Sequence, residues 1–271
     1  MQRPVTSGHA DDLAFAADLA LQAGRILMDK YEHLERIDYK SARDVVTEAD
    51  HESEALILAA IRSRCPVDAI LAEETGEHRA VAGEAPTSGR GRVWIVDPLD
   101  GTVNYANGLP VFCVSIGLVT DGVPSVGVVL DPTRGDLFAA TADGPATLNG
   151  RVIHASAKER LSDYVISMSL NGRNATSRAR NVRKAIRIPR SMGSAALALA
   201  YVANGRFDAF VQQGGLSAWD VAAAGLIAER GGATITSMDG GPWFDLAHAP
   251  KSIGILAAPA SHHGALLALA R

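Results

Sequence analysis

The 271-residue sequence predicts an α/β chain in two close-packed lobes, and three observations carry that reading. Apolar residues recur at three- and four-residue steps near the start, short apolar runs of strand length follow, and strand and helix patterns alternate beyond about Gly150. Residues 1–150 are expected to form a helix pair with an antiparallel sheet and 151–271 an α/β lobe, close enough to count as one domain.

In chain order, Ala16, Ala17, Ala20, Ala23, Gly24, Leu27 and Tyr31 mark one face of a first helix over Asp12–Tyr31. Thr47-Glu48-Ala49-Asp50 has the form of a capping box, whose side chains satisfy free N–H groups, and it opens a second helix over Glu48–Arg64. Ala69–Ala72 and Val93–Val96 are apolar runs that end in acids, Glu73-Glu74 and Asp97, and Gly76–Gly91 between them reads as a mobile loop. Pro98 has no N–H to give a neighbour, so the ladder is expected to stop there. Strands over Phe112–Val119, Ser125–Leu130 and Leu137–Ala140 complete the first lobe. In the second, Val165–Ser169 and Ala209–Val211 read as strands, and Ser194–Asn204 and Ala218–Arg230 as helices ended by Asn204-Gly205 and Gly231-Gly232.

Hydrophobic residues make up 47% and charged residues 21%, a balance that excludes a disordered chain, a coiled coil or a fibrous repeat. The formal net charge is -4 and no basic stripe stands out, which speaks against nucleic acid as a partner. Cys65 and Cys113 are too few for a disulfide framework and fit a reducing cytoplasm. No run approaches the ~18 apolar residues of a membrane span, and the N-terminal stretch lacks the order of an export signal.

The chemistry is concentrated in the acids. Asp97-Pro98-Leu99-Asp100 delivers two carboxylates from one strand end, and like charges ~4 Å apart repel by roughly 4 kcal/mol at an effective dielectric near 20. No Lys or Arg is near in sequence, and oxygen donors without His or Cys select Mg²⁺ or Mn²⁺ over Zn²⁺. A helix starting at Gly101-Thr102 would turn its free N–H groups toward a phosphate oxygen. Taken singly, each acid has a plainer reading: Asp97 and Asp100 in a β-turn, Glu73-Glu74 solvated, Asp50 and Asp220 as helix caps after Thr47 and Ser217.

Taken in order, they match a family. Asp44-x-Val46-Thr47-x-x-Asp50, Glu73-Glu74, Asp97-Pro98-Leu99-Asp100-Gly101-Thr102-x-Asn104 and Trp219-Asp220-x-Ala222-Ala223-Ala224-Gly225 resemble the inositol monophosphatase family of Mg²⁺-dependent, lithium-sensitive phosphatases. The resemblance covers nearly the whole chain. It implies the layered αβαβα sandwich of the inositol monophosphatase and fructose bisphosphatase type, a homodimer, and two to three Mg²⁺ per site. Glu73, Asp97 and the Leu99 carbonyl would hold the first ion, and Asp97, Asp100 and Asp220 the second. Glu73 would also reach a third, weaker ion through water. Thr102 and Asp50 would orient and deprotonate the attacking water, with Glu74 supporting their loop. Gly101 and Thr102 would meet the phosphate, and Gly193, Ser194 and Ala195 the alcohol part, beside Asp100 and Asp220.

One position departs from the pattern. Where animal and enterobacterial inositol phosphatases carry a Glu that accepts from inositol hydroxyls, this chain has Gln213, which keeps an acceptor and loses the charge. The expected activity is hydrolysis of a small phosphate monoester, inositol-1-phosphate first. The alternatives are fructose-1,6-bisphosphate, histidinol phosphate or adenosine 3′,5′-bisphosphate, or an added transcription-associated role. Rival chemistries lack their marks: there is no Asp-x-Asp nucleophile at Asp97, no Gly-x4-Gly-Lys-Ser/Thr loop and no Gly-x-Ser-x-Gly elbow.

Overall fold

The computed structural model describes residues 9–34, 37–41, 44–79, 90–246 and 253–271. Helices α1 (His9–Lys30) and α2 (Glu48–Arg64) flank, in the chain, an antiparallel pair made by β1 (Ile37–Ser41) and β2 (Asp44–Thr47). An eight-stranded sheet follows: β3 (Ala69–Ala72), β4 (Gly76–His78), β5 (Arg92–Asp100), β6 (Cys113–Thr120), β7 (Val123–Asp131), β8 (Asp136–Thr141), β9 (Thr147–Leu148) and β10 (Arg151–Val152). Its order is β10-β9-β8-β7-β6-β5-β3-β4, with the short helix α3 (Thr102–Ala106) leaving the end of β5.

The second sheet orders β12 (Ile188–Arg190), β11 (Val165–Ser169), β13 (Ala209–Leu216), β15 (Ile253–Pro259) and β14 (Ala233–Ser237). Helices α4 (Ala175–Ala185), α5 (Ala195–Ala203), α6 (Ala218–Arg230) and α7 (Ala260–Ala270) pack around it.

Alternation along the strands builds the layers. Trp94 and Val96 of β5 join Leu19, Leu27 and Ile57 under α1 and α2, whereas Val93 and Ile95 turn to the opposite face and meet Ala218 and Ala222 of α6. Helices α5 and α6 touch both sheets: their alanines and leucines pack on Val129 and Phe138 of the first and on Phe210, Ile255 and Ala257 of the second. Val182 of α4 and Leu266 of α7 cover the far face of the second sheet over Ile166, Val211 and Leu256. The result is an αβαβα sandwich, as the sequence resemblance implies, in which burying each large aliphatic side chain contributes about 1.5–3 kcal/mol.

Three sequence expectations change. The ladder does not stop at Pro98, because β5 runs on to Asp100: Asp97 pairs with Ser115 and Asp100 with Cys113, so one extra residue bulges out and proline loses no ladder bond. The loop expected from Gly76 begins with a strand, β4, paired to β3 through Ile70–His78, while residues 80–89 of that loop lie outside the described residues. The first sheet is not wholly antiparallel, since β3 runs parallel to β5. Elements the patterning did not single out, including α4, α7 and β14, fill the outer part of the second half.

A pair of glycines seats α6. Gly117 of β6 and Gly127 of β7 stand opposite each other, and a Cβ on Gly127 would lie 2.6 Å from the Ala223 carbonyl oxygen, against 3.3 Å to Ala222 for one on Gly117. Backbone cannot yield as a flexible side chain can. Gly127→Ala is expected to lower unfolding stability by about 1–3 kcal/mol, and Gly117→Ala by less, in urea melts with unchanged slope.

Candidate active site

The bulge at Pro98 turns β5 so that Asp97 and Asp100 both reach one hollow. Asp97 is 1% and Asp100 8% exposed, and with Asp220 from the first turn of α6 they place carboxylate oxygens within 4.8 Å of one another. A cavity of about 150 Å³ is lined by these three acids, Glu73, Leu99 and Thr102, with Gly101 and Gly193 at its margin.

Each acid is held by backbone. Asp97 Oδ1 accepts from the Leu99 N–H at 3.0 Å, inside the bulge. Asp100 sits at the start of α5, where Oδ2 accepts from Ser194 Oγ at 2.6 Å and the Ala196 N–H at 2.7 Å, and Oδ1 from the Ala195 N–H at 3.2 Å. Asp220 reaches back to the Ser217 N–H at 2.6 Å. Asp50 does the same at α2, accepting from the Thr47 N–H at 2.8 Å and the Thr47 hydroxyl at 2.6 Å. The capping reading of Asp50 and Asp220 holds, since each closes a capping box at the start of its helix. In each, one carboxylate oxygen caps the helix.

Asp50 uses its second oxygen toward Thr102, whose hydroxyl lies 3.1 Å from Asp50 Oδ1 and 3.0 Å from the Leu99 carbonyl oxygen. Burial pushes the Asp50 carboxyl up to about 6, against the opposing bonds from Thr47, and the nearby Glu74 charge adds to it. Burial also raises the Asp97 carboxyl well above the usual carboxylate range, followed by the charges of Glu73, Asp100 and Asp220. Asp100 and Asp220 are raised for the same first reason, and the N–H donors at α5 and Ser217 only partly compensate.

This donor set fits a divalent cation. No lysine or arginine bonds to Asp97, Asp100 or Asp220 among the described residues, so the buried negative charge is left without a counter-charge, and the donors are all hard oxygens. Glu73 and Leu99 line the same cavity.

The remaining predicted residues lie at the corner after β5 and around the neighbouring cavities. Gly101 has φ 99°, and a Cβ there would press within 2.9 Å of the Val111 carbonyl oxygen, so the strand-to-helix corner requires glycine. Gly193, Ser194 and Ala195 border a second cavity of about 270 Å³ that shares Asp100 and Asp220 with the first. Gln213 stands one cavity further out, on β13, where its Oε1 accepts from Arg178.

Sequence reasoning passed over several supports. Buried Glu54 accepts from the Glu74 N–H at 2.9 Å and the Thr75 N–H at 3.0 Å, which fixes the Glu73-Glu74 turn, and its helical spacing from Asp50 was the available signal. Asn104 Nδ2 donates to the Val111 and Met192 carbonyl oxygens, both at 2.7 Å, and so ties α3 to the Gly193 loop. Arg178 carried no motif at all.

A family model described as the inositol monophosphatase family matches residues 10–271. Among similar proteins, an inositol-1-monophosphatase of Synechocystis is 36% identical over 237 residues, covering 85% of this chain and 80% of that one. A Pseudomonas aeruginosa protein named Nus factor SuhB is 35% identical over 244 residues, covering 86% and 87%. The solved structure of a Thermotoga maritima IMPase superposes with a TM-score of 0.84 at 30% identity, covering 96% of each chain.

Because Asp97 is buried beside like charges, Asp97→Asn is expected to raise the melting temperature of the chelator-treated protein by a few degrees while removing stabilisation by added divalent metal. Thermal melts with and without metal check both signs.

Proposed function

We propose, from the premise that the chain belongs to the inositol monophosphatase family and is a phosphoric monoester hydrolase, that it cleaves a polyol phosphate with Mg²⁺, inositol-1-phosphate being the substrate the resemblance points to. The observation that carries this reading is the close group of buried Asp97 and Asp100 with half-buried Asp220, beside the Asp50–Thr102 pair.

Bound Mg²⁺ would supply Lewis acidity and neutralise the phosphate's charge, held as two to three ions by Glu73, Asp97, the Leu99 carbonyl, Asp100 and Asp220, with Mn²⁺ a substitute. The phosphate would meet Gly101 and Thr102, and the alcohol part would rest against Gly193, Ser194, Ala195, Asp220 and Gln213. Thr102 donates its hydroxyl hydrogen toward Asp50 and so turns a lone pair to an incoming water. As that water attacks in line, Thr102 takes its proton and passes its own to Asp50; the ester P–O bond breaks as the new P–O bond forms, and the departing alkoxide takes a proton from solvent to leave as the alcohol. Glu74, held through Glu54, keeps the loop beside Asp50 in place. The same reading carries inhibition by lithium, a homodimer and a cytoplasmic site of action; among the described residues no helix is long and apolar enough to cross a membrane.

Asp50 must be ionised to accept the proton, and its carboxyl is raised to about 6, so activity is expected to rise through pH 6 to a plateau. Asp50→Asn is expected to cost about 10²-fold or more in kcat and to abolish that acid limb. Phosphate release from inositol-1-phosphate, fructose-1,6-bisphosphate, histidinol phosphate and adenosine 3′,5′-bisphosphate with Mg²⁺ tests the activity, and no release from any of them overturns it.

A second reading is favoured by the similar protein named Nus factor SuhB: a role in a transcription assembly alongside catalysis. Asp100→Asn separates the two. Loss of phosphatase activity with retained capture of transcription components supports the second role, and failure of the wild type to capture any removes it.

A further inference from the structure

Asp100 differs from the other acids of the cluster in how its two oxygens are used. Asp97 is met by the Leu99 N–H and Asp220 by the Ser217 N–H. Around Asp100, donors converge from β6, from the turn before α5 and from the first turn of α5 itself. Its Oδ2 accepts from the Ser194 hydroxyl at 2.6 Å and the Ala196 N–H at 2.7 Å, with the Cys113 thiol behind them at 3.7 Å, and its Oδ1 accepts from the Ala195 N–H at 3.2 Å. A carboxylate oxygen has about two lone-pair sites. Both are taken by short bonds on Oδ2, so Oδ1 is the oxygen left with a site to spare.

Ser194 makes that division. It borders the cavity of about 270 Å³ but is only 2% exposed, and its hydroxyl hydrogen goes to Asp100, so the side chain expected to touch the alcohol serves the acid instead. The residues before it are pinned. Gly193 has φ 75°, a Cβ there would lie 2.9 Å from Asn104 Nδ2, and the same Nδ2 donates to the Met192 carbonyl oxygen at 2.7 Å. With the loop seated against α3 on one side and running into α5 on the other, Asp100 cannot swing without breaking two short bonds.

That restraint bears on which cation fits. Mg²⁺ demands near-octahedral geometry from few protein ligands, whereas Ca²⁺ gathers about 6–8 oxygens and takes a carboxylate by one or by both. A carboxylate free to turn offers two oxygens; one held as Asp100 is held offers one. We propose that Ser194 is a positioning residue that keeps Asp100 a one-oxygen ligand, and that it thereby sets the preference of the site for Mg²⁺ over Ca²⁺. The proposal rests on the metal-dependent phosphatase reading above.

Chelator-treated protein titrated calorimetrically with Mg²⁺ alone and with Ca²⁺ alone gives the ratio of the two dissociation constants without turnover. Ser194→Ala frees Oδ2, and is expected to weaken Mg²⁺ binding about tenfold or more while Ca²⁺ binding stays equal or tightens, so that the ratio moves about tenfold toward Ca²⁺. Ser194→Thr keeps the hydroxyl and is expected to hold the wild-type ratio, with Ser194→Cys, whose S–H is a weak donor, falling between. Comparing the cysteine with the threonine reads the same effect in a side chain of full size, should the alanine destabilise the loop. A ratio unchanged in Ser194→Ala, with both ions weakened alike or neither, overturns the proposal, as does a ratio moved equally by all three substitutions. If the ratio depends on Ser194 but no ester is hydrolysed, the phosphatase reading falls and the positioning role stands. If esters are hydrolysed with Mg²⁺ while the ratio ignores Ser194, the phosphatase reading stands and the role falls. A wild type that binds neither ion removes both.

Discussion

Mutual repulsion among buried carboxylates is the constraint around which this molecule is organised. Asp97 and Asp100, both buried, leave the end of one strand, and half-buried Asp220 enters from a helix of the next layer. Without compensation that arrangement would not persist. The fold supplies part of it through oriented backbone N–H groups, at the bulge for Asp97, at the start of α5 for Asp100 and at the start of α6 for Asp220. What these donors leave uncompensated would favour a small, hard, doubly charged ion.

The middle layer meets that need geometrically. Helices α5 and α6 are built largely of alanine, leucine and glycine, and so lie close to both sheets at once. Closeness brings the N-terminus of α5 against Asp100 of the first sheet, and the glycine pair of β6 and β7 lets the body of α6 approach far enough for Asp220 to meet it. A bulkier middle layer would hold the sheets apart and separate the acids. Packing and charge are one design here.

Much of this was legible in the sequence, for stated reasons. Helix α2 is legible at Glu48–Arg64 because Thr47 and Asp50 mark its start, and Glu73, Glu74 and Asp97 stand out because they end apolar runs. The layered sandwich came from the order of four motifs rather than from periodicity. Pro98 misled, since a missing N–H interrupts a ladder only where the neighbour expects a bond, and a bulge removes that expectation. Helix α4 was overlooked because its polar composition, with Arg178, Arg180, Arg183 and Lys184, presents little apolar rhythm. Glu54 and Arg178 belong to no motif, and their value comes from partners 20 and 35 positions away, Glu74 and Gln213.

Asp50 and Asp220 each close a capping box, so each contributes to folding whether or not any ester is ever cleaved. Losing a helix cap costs about 0.5–2 kcal/mol, a sizeable part of the stability of an ordinary domain. Selection for an intact fold would therefore preserve these two aspartates in a lineage that had abandoned catalysis. Their presence in a distant homologue certifies helix starts, while residues with no structural duty of this kind are the better witnesses that the chemistry survives.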